Sequence, residues 1–274
     1  YINTPFVTRG GRFRGMFGNP NGLGIYVVIV FGYYFMLKET GHLVISKWGK
    51  IFFFTVLFIS LIWCSSRAAM MAVIICFAFS YIYSFSIIIG WLSFVVVMFF
   101  YDEIIGFIPA VTSFLGMGRS LRADNVEEIK EGSGRLIAWQ FAWWAIQKNM
   151  LSGQGMGYTN VLYVQYEDWL SIRGHQGNAH SAYFTFWLDT GLFGMLSYFI
   201  GLIITVVKVS SNFKFITPIL FSVLFSNYYE SWLAASLNPY TPMFFIIIAV
   251  YYSKFSENEL EKGLIEDVKE EETA

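Results

Sequence analysis

The chain has 274 residues, of which 56% are hydrophobic, 20% aromatic and only 14% charged, and its mean hydropathy is +0.54. Charged residues make up about a quarter of an ordinary soluble domain, so this composition excludes one, along with disordered, fibrous and nucleic-acid-binding classes. The formal net charge of −1 is a sum of unlike parts, because residues 254–274 hold eight acids against three lysines and leave the remainder net positive.

In chain order, residues 1–21 form a polar entry segment rich in Arg and Gly, unlike a signal peptide, and the start on Tyr1 without Met reads as an N-terminally incomplete sequence. Apolar runs follow at about residues 22–37, 51–64, 68–84 and 86–101. The break at Ser84-Phe85-Ser86 is expected because the combined run is too long for one crossing. One long polar segment, residues 102–180, is too large for a simple turn. Further apolar runs fall at about 181–207, 215–229 and 240–252.

A crossing needs about 20 apolar residues to span about 30 Å of hydrocarbon. The predicted fold is therefore an all-α polytopic membrane protein with about seven transmembrane helices embedded in a lipid bilayer. Residues 22–101 would supply the first four and residues 181–253 the last three. Residues 102–180 would form one large external loop, and residues 254–274 a solvated, disordered cytoplasmic tail. Cys64 and Cys76 lie inside apolar runs and behave as small buried hydrophobes.

With alternating spans, Lys38, Lys47, Lys50, Lys208, Lys214, Lys254, Lys262 and Lys269 fall on one side. Arg9, Arg12, Arg14, Arg67, Arg119, Arg122, Arg135 and Arg173 fall on the other. Short lysine-bearing loops mark the cytoplasm, and the rule behind that assignment largely exempts long translocated loops. Arg9, Arg12 and Arg14 strain it. Arginine is the better phosphate ligand because its planar fork binds two oxygens at once, so the segregation points to a phosphate ligand outside.

Candidate site residues follow from local chemistry. Arg67 lies between two apolar runs among small residues, and it either snorkels to the boundary or faces a cavity. Asn19 and Asn21 precede the first span in Gly18-Asn19-Pro20-Asn21-Gly22, a turn with a helix cap; Arg12 and Arg14 beside helix amides would also make an anion site. Residues 133–148 predict an amphipathic helix capped by Ser133, apolar at Leu136, Trp139, Trp143 and Ile146, with Arg135 against the usual charge preference of a first turn. Gly153-Gln154-Gly155-Met156-Gly157 reads as a turn, since no strand precedes it to make a nucleotide loop. His175 and His180 precede the fifth run; imidazole suits proton transfer near neutral pH, and two histidines alone make a poor metal site. Asp189 is an acid inside an apolar run, a functional position unless it simply pairs with a base.

The order of these pieces resembles the O-antigen ligase and O-antigen polymerase superfamily of bacterial membrane glycosyltransferases. The matching residues are Arg12 to Gly24, Ser66-Arg67-Ala68-Ala69, Ser133-Gly134-Arg135 with Trp139, Gly153 to Gly157, His180-Ser181 and Asp189 to Gly194. The resemblance implies a helical bundle in the bacterial inner membrane whose active face is periplasmic. It implies transfer of a glycan from undecaprenyl pyrophosphate to a sugar hydroxyl, on lipid A core for a ligase or on another repeat unit for a polymerase, with no cofactor or metal and no nucleic-acid partner. By the same resemblance Arg67 and Arg135 would bind pyrophosphate and His180 would be the essential loop histidine, with Arg12 or Arg14, Asn19, Asn21 and Asp189 in substrate binding; Glu167 and Asp168 are secondary base candidates. A non-catalytic transporter or flippase is the rival, though the internal repeats common in transporters are not found.

Overall fold

The computed structural model describes residues 6–8, 11–101, 103, 135–175, 177–234 and 238–273, with the side chains of all of these except Ser84 and residues 266–273. Among these residues the chain is helical, with one isolated antiparallel bridge between Val7 and Phe13. The helices are α1 (Pro20–Glu39), α2 (Lys47–Cys64), α3 (Arg67–Phe85), α4 (Ile87–Phe99), α5 (Arg135–Ile146), α6 (Tyr158–Gln165), α7 (Glu167–Ile172), α8 (Ala182–Val209), α9 (Ile216–Tyr229) and α10 (Tyr240–Thr273). Ser133, Gly134, Arg9, Arg119, Arg122 and the segment 104–134 lie outside the described residues.

Local chemistry sets the helix ends. Asn19 caps α1 by accepting from the Gly22 amide at 2.7 Å, with Pro20 at the first helical position, where its missing N–H costs nothing. Ser46 caps α2 through the Gly49 amide at 3.1 Å. The chain then reverses into α3 over Ser65 and Ser66, with Ser65 in the left-handed region at φ 48°. Extended backbone at Ser86 separates α3 from α4.

Three helices, α1, α2 and α8, are long and apolar enough to cross a membrane, and α3 and α4 contribute shorter apolar helices. The centre of the bundle is α9, buried at every residue except Tyr228. It packs most extensively on α3, where Phe221 meets Phe79 edge-on at 5.2 Å and stacks on Phe94 of α4 at 4.2 Å. Such aromatic pairs contribute beyond the area they bury. Helices also approach through missing side chains: a Cβ on Gly24 of α1 would lie 2.7 Å from that of Ala69 on α3, the small-residue contact favoured between helices in lipid.

Two expectations change. The tail is not an irregular end, because α10 continues as helix to Thr273. Its Lys254–Glu257 and Glu259–Lys262 pairs, at 2.6 and 2.7 Å, support helix at this spacing, and Leu, Glu and Lys are good helix formers. In α5 the buried residues are Ala138, Phe141, Ala142, Ala145 and Ile146; of the four expected apolar positions Ile146 is buried and Trp139 half-buried, while Leu136 and Trp143 are exposed. Nearly every residue of α5 is apolar, so periodicity could not choose the face; close packing selected the alanine side.

Candidate functional site

One end of the bundle gathers the N-termini of α1, α3, α5 and α8 with the C-termini of α2 and α9. A small polar cavity of about 140 Å³ opens there, lined by Arg12, Asn21, Ser65, Ser66, Arg67, Ala68, Arg135 and His180. Residues separated by up to 168 positions in the sequence thus share one surface. Helix N-termini carry unsatisfied amides and the positive end of the dipole, and here the first turn of α3 forms part of the wall together with three arginines. Guanidinium groups and helix amides at one polar cavity are the chemistry that suits a multiply charged anion.

The arginines are held from behind. Arg12 donates through Nε to the Cys64 carbonyl at 2.9 Å and through Nη2 to Asn21 Oδ1 at 2.9 Å. These bonds use the carbonyls left open at the end of α2 and tie the entry segment to the α2–α3 turn. Asn21 in turn donates through Nδ2 to Glu230 Oε1 at 2.9 Å. Arg135 bonds the same Oε1 at 2.7 Å, and His180 Nδ1 stands 3.8 Å from Oε2.

Glu230 is therefore the organiser of the site, and sequence reasoning missed it. Its signal was isolation: it is the sole acid between Asp189 and Glu257, at the end of an apolar run. Its side chain is 13% exposed. Burial pushes its carboxyl up, but the His180 contact and the Arg135 charge outweigh that and hold it below the ordinary range. Its main chain also positions the histidine, since the Glu230 carbonyl accepts from the Ala182 amide at 3.1 Å.

His180 sits in the left-handed region at φ 44°, with its amide donating to Asn178 Oδ1 at 2.7 Å. A non-glycine residue there costs about 1–3 kcal/mol and such strain collects at functional sites. Nearby His175 is buried, its Nε2 3.1 Å from the Asn178 carbonyl oxygen, and its ring meets that of His180 edge-on at 5.5 Å.

The remaining candidates sit elsewhere. Asn19 is the α1 cap described above. Half-buried Arg14 bonds the Gly18 carbonyl at 3.2 Å and is not among the cavity residues. Asp189 is buried and its carboxylate accepts from the Gly157 amide, the Thr159 amide and the Thr159 hydroxyl at 2.9, 2.8 and 2.7 Å. It caps α6, and its charge meets the positive end of that helix.

The same region explains the glycines. Gly191 interrupts α8 at φ 72° and Gly153 stands at φ 71°. A Cβ on Gly153 would lie 2.6 Å from the Asp189 carbonyl oxygen, and one on Gly191 would lie 2.5 Å from the Gly153 amide nitrogen. Backbone bonds from Gln154 to Leu188 and from Gly155 to Asp189, at 2.9 and 2.8 Å, seal the contact. The glycine segment is a turn docked on the α8 kink, fixing the α5–α7 segment relative to the bundle.

Comparison with known proteins gives one match: a family model described as O-antigen ligase covers residues 52–199. No curated protein matches the chain and no solved structure matches it.

Proposed function

The chain belongs to the O-antigen ligase family of membrane glycosyltransferase-like enzymes, and from that premise we propose that the arginine-lined cavity holds the pyrophosphate of an undecaprenyl-pyrophosphate-linked glycan while His180 activates a sugar hydroxyl. The observation that carries the reading is the convergence of Arg12, Arg67, Arg135 and His180 on one cavity. Apolar helices and family together make the chain an integral membrane protein.

The chemistry follows from the charges. The acceptor hydroxyl attacks the anomeric carbon, the carbon–oxygen bond to pyrophosphate breaks, and pyrophosphate leaves with the electron pair. Preorganised cations stabilise that developing charge most where water is excluded, and losing one such donor typically costs about 10²- to 10³-fold in rate. The hydroxyl proton passes to the His180 nitrogen that does not face Glu230, a transfer worth about 10²- to 10⁴-fold. Glu230 does not touch substrate in this scheme; it positions Arg135, Asn21 and His180. The arginines supply the charge for which other transferases recruit a divalent cation, so chelation with EDTA should leave the rate unchanged.

The active face is periplasmic in this proposal, with seven spans as the sequence implies and lysine-bearing turns in the cytoplasm. The acceptor is lipid A core, the ligase outcome; elongation of the donor's own repeat unit would make the protein a polymerase. Incubating purified protein with lipid-linked glycan and lipid A core decides it. Glycan on lipid A core with release of undecaprenyl pyrophosphate is expected, and full transfer by Arg67→Ala, Arg135→Ala and His180→Asn variants alike would remove the mechanism.

A further inference from the structure

The loop between α7 and α8 holds a buried titratable ring that the proposed transfer reaction does not use. His175 is 3% exposed. Its amide donates to the Leu170 carbonyl at 3.0 Å, which anchors it to α7, and its Nε2 lies 3.1 Å from the Asn178 carbonyl oxygen. A carbonyl only accepts, so Nε2 carries the proton of that bond. Asn178 is gripped a second time, because its Oδ1 accepts from the His180 amide at 2.7 Å. Beyond His180, the Ala182 amide donates to the Glu230 carbonyl at 3.1 Å. The His180 ring meets that of His175 edge-on at 5.5 Å and turns Nδ1 toward Glu230. Its Nε2 lies 3.8 Å from where a Cβ on Gly177 would stand.

We propose that His175 is a positioning residue for His180, acting through Asn178 to hold the imidazole in the geometry that proton transfer needs, an inference that rests on the glycosyl-transfer reading. The loop does not take this shape by default. Gly174, Gly177 and His180 all have positive φ, at 82°, 108° and 44°, a region uncommon for any residue but glycine. Backbone of this kind persists only where its surroundings over-determine it. The chain of bonds from His175 to Asn178 to His180 does so from the α7 side, and the Glu230 carbonyl does so from α9. A leucine would fill the place of His175 without the cost of burying a polar ring, but it has no N–H for the Asn178 carbonyl. With Asn178 released, the His180 amide loses its acceptor, and Nε2, the nitrogen that receives the proton, shifts with the backbone. Misplacing a reacting group by about 1 Å costs about 10²-fold in rate. His180 lines the arginine cavity and His175 does not, so pyrophosphate binding stays outside this effect.

The test uses the full chain in detergent and reads hydrogen exchange beside transfer. The His180 amide should exchange about tenfold faster in His175→Leu, the worth of one hydrogen bond, while α8 and α9 keep their wild-type protection. His175→Gln, whose side-chain amide can reach the Asn178 carbonyl, should keep the wild-type exchange and most of the rate. With lipid-linked glycan, kcat should fall about 10- to 100-fold in His175→Leu, and affinity for undecaprenyl pyrophosphate should not change. In a His180→Asn background His175→Leu should cost nothing further, because it acts through the residue already removed. Equal exchange at His180 in wild type and His175→Leu overturns the proposal. So does faster exchange throughout the bundle, which would mark a structural role, and so does an equal loss in His175→Gln and His175→Leu. A further loss in the double variant also overturns it. The expected exchange pattern in a wild-type protein that releases no undecaprenyl pyrophosphate would instead count against the transfer reading alone.

Discussion

Single side chains in the cavity have separable tasks. Arg67→Ala should lower transfer by about 10²- to 10³-fold while membrane levels stay near wild type, since the side chain lines the cavity at a helix start. His180 is better replaced by Asn than by Ala, because Asn tolerates the left-handed backbone that His180 occupies; His180→Asn should lose about 10²- to 10⁴-fold without unfolding. Glu230 gives a pH signature. Its carboxyl is held below its ordinary range, so its stabilising contribution is complete above the unfolded value of about 4.3 and disappears as pH falls through the lower folded value. Melting temperatures of wild type and Glu230→Gln should therefore differ by a constant amount from pH 8 to pH 5 and converge in stronger acid. A gap that grew between pH 6 and 8 would contradict this.

Among elements, the α8 kink is the part with the clearest mechanical consequence. Gly191 and Gly153 combine positive φ with backbone contacts that leave no room for a Cβ. Alanine at either position should cost several kcal/mol or about the sum of strain and overpacking, read as a fall in melting temperature with loss of transfer. Asp189→Asn removes the charge that caps α6 and should destabilise by about 1–3 kcal/mol, with transfer recovering at low temperature. Recovery would separate a capping acid from one that binds substrate. Helix existence was legible because long apolar runs and the cap at Asn19 are local signals. The face of α5 was not, because its alanines and tryptophans are apolar all round. Nor was the role of Asp189, whose partners Gly157 and Thr159 are thirty or more residues away in sequence.

Across the whole molecule, charge is sorted by end. Opposite the arginine cavity, Glu39 closes the bundle, accepting from the amides of Lys214 and Phe215 at 2.8 and 3.1 Å and from the Tyr251 hydroxyl at 2.8 Å. Lys38, Lys47, Lys208 and Lys214 lie at the helix ends on that side. The gathering of Lys38, Lys47, Lys208 and Lys214 at one end follows the alternation of apolar runs in the sequence, whereas Lys148, just after α5, departs from it. Glu230, bonding Asn21 across 209 positions, was not legible in sequence, since no local pattern announces a contact made by topology. Orientation is checkable with thiol labels, because the native Cys64 and Cys76 are buried and silent. Val44→Cys and Met16→Cys occupy positions 98% and 90% exposed at opposite ends. An impermeant reagent applied outside intact cells should label position 16 and spare position 44.

A cavity that receives pyrophosphate should bind undecaprenyl pyrophosphate, free of any glycan, and binding of that lipid to the purified protein measures this. Wild type should bind it, prefer it to undecaprenyl monophosphate, and lose at least about tenfold in affinity in Arg67→Ala, a loss of about 1.4 kcal/mol or more. Equal affinity of wild type and Arg67→Ala for the pyrophosphate lipid would contradict the account.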